Sequence, residues 1–487
     1  MNPAITVALV PAAPLVGALL VLALRRRPDA REAASLLAGV VTLALAWSLL
    51  EPVLAGARPE LVLVEVVAGV PLALRVAPLG LMFALIASFL WIVTTLYAIG
   101  YMRAHHEENQ SRFYGFFAIS IAATLGVAFA ANLFTLFAFY EVLTLATFPL
   151  VTHHQTDEAR RAGRVYLGVL LTTSIAFQLL AIVWTWQLAG TTDFRPGGIL
   201  AGTASPAVLS AILALFVFGA GKAAVMPFHR WLPAAMVAPT PVSALLHAVA
   251  VVKAGVFTIL TVAVYIFGLD LLGSLAVTTW LAWAAGATIF IGSLVALRKS
   301  TLKIRLAYST ISQLSYIVLG AMLANQAGVV GGGLHIATHA FGKITLFFAA
   351  GAVLVAAHEA DIRRMAGLGR RMPLTFAAFF IGAVGIIGLP PGGGAWSKWL
   401  LGLATLEAGQ IGLLVVLMLS SLLSTVYLLE VPVRAFFEDP ADGVDHGAVR
   451  EAPWPSVVAM AITSAMTVGL FLYPDPVYQL VQRMVAP

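Results

Sequence analysis

The chain has 487 residues, of which 61% are hydrophobic and 10% charged, with a formal net charge of +6. Soluble domains run near roughly 45–50% apolar and 25% charged, so a soluble assembly is excluded and a polytopic membrane protein is indicated. Cysteine is absent, which excludes disulfides, iron–sulfur clusters and thiolate zinc from this chain.

The apolar stretches run to about 20 residues, the length that crosses a ~30 Å hydrocarbon core as a helix. Ten-residue alternating strands of a membrane barrel are not the pattern. Fourteen spans are predicted, at 3–24, 32–50, 77–101, 113–131, 132–152, 165–188, 206–229, 241–267, 274–297, 305–324, 328–357, 374–401, 409–436 and 455–473. The first precedes the basic cluster "RRRPDAR" and so reads as a spanning helix, not a cleaved signal. The β-branched stretch 61–76, with "AGVP" at its centre, predicts an outer hairpin. The fourth and fifth spans touch at "AANLF" and are divided because forty apolar residues are too many for one crossing. "TDEARRAGR" predicts a short amphipathic inner helix, and "EDPADGVDHGAVREAP" a polar inner loop.

Two spans are interrupted. The seventh runs into Pro227, Pro233, Pro239 and Pro241, and the twelfth carries Pro390 and Pro391 followed by Gly392, Gly393 and Gly394. Proline removes a helix hydrogen bond, and in lipid the freed carbonyls need partners or a wet cavity. Broken helices at matching places point to inverted repeats around a midplane ion path. The expectation is an all-α polytopic membrane protein, one membrane domain over 1–487. It holds two inverted five-helix repeats, 113–267 (spans 4–8) and 274–436 (spans 9–13), with spans 7 and 12 broken.

With both termini outside, the inner loops hold 20 Lys and Arg and the outer side four, Arg58, Arg75, Arg195 and Arg483. That bias sets the orientation. It leaves Lys222, Lys253, Lys343 and Lys398 inside spans, four of only six lysines in the chain. Lysine out of water can give up its proton, which arginine effectively cannot. The basic balance therefore does not indicate nucleic acid.

Each charge at the bilayer centre costs ~2.5–3.5 kcal/mol on insertion scales, so such residues are functional candidates. They are Glu141 in span 5, Lys222 in span 7, His247 and Lys253 in span 8, His335, His339 and Lys343 in span 11, and Lys398 in span 12. One such residue alone could snorkel or pair structurally. Eight of them over five spans are poorly explained by stability, because apolar replacement of buried pairs is often neutral or stabilising. His335 and His339 share a helix face and could hold zinc, but no third ligand is near and the cation of Lys343 repels a metal. Haem between His247 and His335 or His339 rests on residue type alone. A His–His–Lys row suits a proton relay better, since neutral imidazole both donates and accepts. Residues four apart drift ~40° around a helix and rise ~6 Å per step. His339 and Lys343 are therefore expected on the in-plane line of the relay, with His335 as a branch or exit.

"GKAAVMPFHRWLPAAMVAPTPVSALLHAVAVVKAGVF" (221–257) resembles the signature of the antiporter-like subunits shared by respiratory complex I, membrane-bound hydrogenases and Mrp-type multisubunit cation/proton antiporters. "LKIRLAYSTISQLSY", "LHIATHAFGKITLFFAAG", "GLGRRMP" and "PPGGGAWSKW" match further segments in the family's order. The likeness covers about 110–435. It implies that Glu141 and Lys222 form an ion pair controlling proton affinity. It further implies that His247 and Lys253 link to a central relay of His335, His339 and Lys343, and that Lys398 is the terminal lysine. Thr301 stands where the family usually has an acid. Lys398 argues against the complex I subunit that has glutamate there, and length and shape look closest to the D-type Mrp subunit. No cofactor, metal or redox site of its own is implied. The implied partners are other membrane subunits of a prokaryotic inner (cell) membrane complex, H⁺ and, in an antiporter, Na⁺ or K⁺. Three functions stay open: a Na⁺ or K⁺/H⁺ antiporter module, the proton-pumping arm of a complex I-like quinone reductase or hydrogenase, and an energy-coupling subunit for inorganic-carbon uptake.

Overall fold

The computed structural model describes residues 3–67, 69–440 and 446–485, the side chains of 67, 246 and 247 excepted. It is an all-α polytopic membrane protein in which each of the fourteen predicted spans has a helical counterpart, starting within a few residues of the predicted start except for the sixth, which begins at Asp157 rather than 165. Ten continuous helices among the described residues are long and apolar enough to cross a membrane. The tenth span, Leu302–Met322, has the length but opens on Lys303 and Arg305. The other three spans are divided, with Pro206–Gly219, Val251–Phe267 and Pro373–Ile387 as apolar pieces of the seventh, eighth and twelfth.

Local chemistry explains the boundaries. The fourth span, Gln110–Ala128, stops short of Asn132, whose side chain accepts from the Thr135 amide at 2.8 Å and caps the fifth span, Leu133–Val151. That cap satisfies an amide the helix start leaves open, and Asn132 Nδ2 also donates to Pro71 O at 2.9 Å. The predicted hairpin forms: β1 (Glu60–Val67) pairs antiparallel with β2 (Val70–Arg75). "TDEARRAGR" is not a separate helix. Thr156 caps it, Asp157 and Glu158 complement the helix dipole, and the helix runs on through a wide turn at Ser174–Leu179 to Ala189 as the sixth span.

The interruptions lie beside the interior cations. The seventh span's helix ends at Gly219, and Lys222 sits on the tight turn Gly221–Ala223. The twelfth resumes at Gly394–Glu407, with Lys398 in its second turn. The eighth, expected as one helix, is also irregular: Thr240–Ala244, a wide turn Leu245–Val249, a kink at Ala250 (φ −114°, ψ −74°), then Val251–Val262. A wide turn inserts an extra residue and so re-aims the face that follows.

The eleventh span, Gln326–Ala357, is the hub. Every residue from Gly328 to Val353 is buried. It packs on the third, eighth, tenth, twelfth and fourteenth spans and on a closing helix, Asp475–Val485. Close approach there depends on small residues, as between membrane helices generally. A Cβ on Gly382 of the twelfth span would lie 3.0 Å from Gly342 O of the eleventh, and one on Gly342 3.1 Å from Ile386 Cδ1. The closing helix, absent from the sequence expectations, buries Leu480, Val481 and Met484.

Candidate proton relay

In the fifth span, Tyr140 and Thr144 face the turn that carries Lys222. Lys222 Nζ donates to Tyr140 O at 2.9 Å and to Thr144 Oγ1 at 2.6 Å, and lies 3.1 Å from the centre of the Tyr140 ring. The Tyr140 hydroxyl accepts from the Lys222 amide at 3.1 Å. Glu141, the next residue, makes no ion pair with Lys222. Both its carboxylate oxygens are buried without a hydrogen-bond partner, although its charge reaches Lys222. The physical reason is helical phase: consecutive residues point ~100° apart, so Tyr140 and Thr144 take the inner face. Glu141 shares its side with the exposed Val142 and Leu145.

The eighth and eleventh spans meet in a direct contact. Lys253 Nζ lies 2.7 Å from His339 Nδ1, both side chains buried. Either nitrogen can hold the shared proton, so the contact is a transfer geometry. The ring of His335 lies 5.9 Å from that of His339. His335 Nε2 lies 3.1 Å from Gln313 Oε1, which makes Nε2 the donor; Nδ1 then accepts from Ser397 Oγ at 2.8 Å. Ser397 adjoins Lys398 in the twelfth span. His335 also stacks on Tyr316 (5.6 Å, 21°), and Lys398 Nζ lies 4.7 Å from the centre of that ring.

His335, expected to branch, is therefore the member of the row that touches the twelfth span. Lys343, expected on the line, instead donates to Ser309 Oγ at 2.8 Å in the tenth span. Lys398 Nζ donates to Ile387 O and Ser421 Oγ, each at 3.0 Å. His247 falls on the wide turn Leu245–Val249, and its side chain lies outside the described residues. Among the described residues no ion pair holds any of the four lysines, and no group of three or more His, Cys, Asp or Glu is placed to hold a metal.

The sequence reading passed over the neutral partners: Tyr140, Thr144, Ser309, Gln313, Tyr316, Ser397, Ser421 and Tyr427. A signal for some of them exists. Ser309, Gln313 and Tyr316 recur at helical spacing in the tenth span, as do Ser420, Ser424 and Tyr427 in the thirteenth, Ile411–Phe437. A polar stripe in an apolar helix marks an inward face.

A second ionisable group lies outside the spans. Glu107 receives His105 Nδ1 at 3.3 Å, His154 Nε2 at 3.2 Å and His153 Nε2 at 3.8 Å. Burial pushes the Glu107 carboxyl up, but the His154 hydrogen bond and the three imidazoles outweigh it and hold it below its ordinary value. Burial brings His153 down to about 4, helped by Arg112 and His154, whereas the Glu107 hydrogen bond raises His154.

Similarity to known proteins extends over most of the chain. The family described as "NADH:quinone oxidoreductase/Mrp antiporter, TM" matches residues 130–424. NADH-quinone oxidoreductase subunit N of Desulforudis audaxviator is 33% identical over 390 residues, 78% of this chain and 75% of that protein. NADH-quinone oxidoreductase subunit L of Mycobacterium tuberculosis is 34% identical over 480 residues, 94% of this chain and 74% of that protein. A chain of the Mrp complex from Dietzia sp. DQ12-45-1b superposes with a TM-score of 0.88 at 23% identity, over 100% of this chain and 97% of that one, and so shares the fold.

Proposed function

The chain belongs to the NADH:quinone oxidoreductase/Mrp antiporter membrane family, and from that premise we propose that it carries protons along Lys222, Lys253, His339, His335 and Lys398. Its relatives are subunits of multisubunit membrane complexes, so its partners are other membrane subunits. One observation carries the reading: the 2.7 Å contact of Lys253 with His339, continued by the contact of His335 with the residue beside Lys398.

In this reading a proton loads at Lys222. A neighbouring subunit that presses the exposed Val142–Leu145 side of the fifth span moves Glu141 and changes the cost of a proton on Lys222. Each tenfold change in that equilibrium is ~1.36 kcal/mol. The proton passes to the Lys253–His339 pair, then by His335 and Ser397 to Lys398, and leaves. His247, implied by the resemblance to link Lys222 with the central relay, is the bridge between Lys222 and Lys253 in the proposed path. In this reading the bias of basic residues to the inner loops supports both termini outside a prokaryotic inner (cell) membrane, and 113–267 and 274–436 are the inverted repeats on either side of the path.

The finer reading is exchange of Na⁺ or K⁺ for H⁺, supported by the near full-length match in fold to an Mrp-complex chain. A proton-pumping subunit of a complex I-like quinone reductase is the second reading, favoured by 33–34% identity to quinone oxidoreductase subunits. Purification of the tagged chain with its native neighbours, identified by mass spectrometry, separates them. Flavin and iron–sulfur subunits fit the second, membrane subunits alone the first. In inverted vesicles, a Na⁺ or K⁺ pulse that releases stored protons supports exchange, and indifference to both cations rejects it.

A further inference from the structure

We propose that Lys343 and Lys398 are joined by a second proton conduit built of hydroxyls: Ser309, Tyr427, Ser293, Ser420, Tyr316 and Ser421. It runs beside the imidazole route and rests on the reading of this chain as a proton carrier.

The atoms form a nearly unbroken row. Lys343 Nζ donates to Ser309 Oγ at 2.8 Å, and Tyr427 Oη donates to the same oxygen at 3.0 Å. The Tyr427 hydroxyl also faces Ser293 of the ninth span, Ala276–Arg298. Ser293 Oγ and Ser420 Oγ are 2.8 Å apart. The Tyr316 hydroxyl donates to Leu417 O at 3.1 Å and lies against Ser420 and Ser421, and Ser421 Oγ accepts from Lys398 Nζ at 3.0 Å. All but Ser421 are fully buried.

Every link is a hydroxyl, which donates and accepts at once and turns freely. The Tyr316 and Ser293 hydroxyls, which donate to Leu417 O and Ile289 O, turn from those carbonyls to the neighbouring serines when a proton passes. For passage, one N–H bond of the Lys343 ammonium breaks and one N–H bond forms on a neutral Lys398 amine. Each O–H between them is broken and remade, so only the charge moves. The hydroxyls are left turned the other way and rotate back before the next proton. Serines between membrane helices also serve as packing contacts, and the test separates that role from conduction.

Proton transport is measured in vesicles holding the whole complex, for Tyr427→Phe, His335→Asn and the pair, with assembly checked on native gels. Each single substitution is expected to lower the initial rate without abolishing it, and the pair to bring it to the vesicle background. A pair no slower than His335→Asn alone overturns the conduit. So does a His335→Asn single already at background, since the imidazole route is then the only one. Ser309→Thr keeps the hydroxyl and should transport better than Ser309→Ala; equal loss in both makes the role packing and also overturns it. Lys222→Ala, run alongside, reports on the carrier reading itself: full transport there removes the premise, whatever the hydroxyl variants do.

Discussion

In the first half of the chain, Lys222 sits on a broken helix; the fifth span carries Glu141 beside Tyr140, but one carbonyl and one hydroxyl are the lysine's actual partners. Those partners lead nowhere: Thr144 Oγ1 donates back to Tyr140 O at 3.1 Å. In the second half, among the described residues, neither Lys343 nor Lys398 pairs with a carboxylate; Lys398 also meets one carbonyl and one hydroxyl, but its serine and that of Lys343 belong to a cluster of serines and tyrosines that go on to meet one another. A charge whose only neighbour of opposite sign stands aside can be set from outside. A charge among hydroxyls can be passed on. In the proposed relay the first half is thus the loading point and the second the conductor.

The largest effects should come from breaking the loading point. Lys222→Ala and Glu141→Ala are each expected to reduce proton-coupled transport by about 10²-fold or more, the scale of a lost proton-transfer group, while native gels show an assembled complex. Wild-type transport in either would sink the distinction between the halves. Lys253→Leu sharpens it differently. A buried cation without an ion pair is costlier to bury than an apolar side chain, so thermal unfolding should hold or rise while transport fails. A fall in both would make Lys253 structural.

The second half also depends on close packing at the eleventh–twelfth crossing. Gly382→Val should cost about 1–3 kcal/mol, as overpacking does, seen as a lower unfolding temperature. The first half offers a pH test. His153 is neutral when folded, so below its ordinary 6.5 the unfolded chain takes up a proton the folded chain refuses, and stability falls until about pH 4. The raised His154 contributes stability that is complete below 6.5 and lost as pH rises through its folded value. Glu107 contributes above 4.5 and loses that contribution as pH falls through its lower folded value. Unfolding temperature should therefore decline from pH 6.5 to 4.5, and His153→Gln should flatten that limb. An unchanged slope removes His153 from the account. The smallest effect is Asn132→Ala, about 1 kcal/mol for a lost helix cap, read by chemical denaturation.

The spans and their breaks were legible because lipid leaves the sequence little freedom: about 20 apolar residues per crossing, and proline or glycine where a crossing is interrupted. The eight ionisable candidates stood out for the same reason. Their partners did not. Whether Glu141 or Tyr140 faces Lys222 depends on helical phase across two chain segments far apart in sequence. Which of His335 and Lys343 reaches the twelfth span depends on the tilt of that crossing. The kink at Ala250 has no proline or glycine to announce it. The serine and tyrosine stripes of the tenth and thirteenth spans were readable as inward faces, but not as neighbours of one another.

The enclosure of the eleventh span has a consequence for synthesis. The twelfth and fourteenth spans and the closing helix, three of its covers, are made after it. Until they arrive, His335, His339 and Lys343 have no finished interior to enter, and lipid is a costly place for them to wait. Before those covers are made, lipid contact with these three residues carries the cost of intramembrane charge. Its burial is thereby tied to the synthesis of the segments that cover it, through Asp475–Val485.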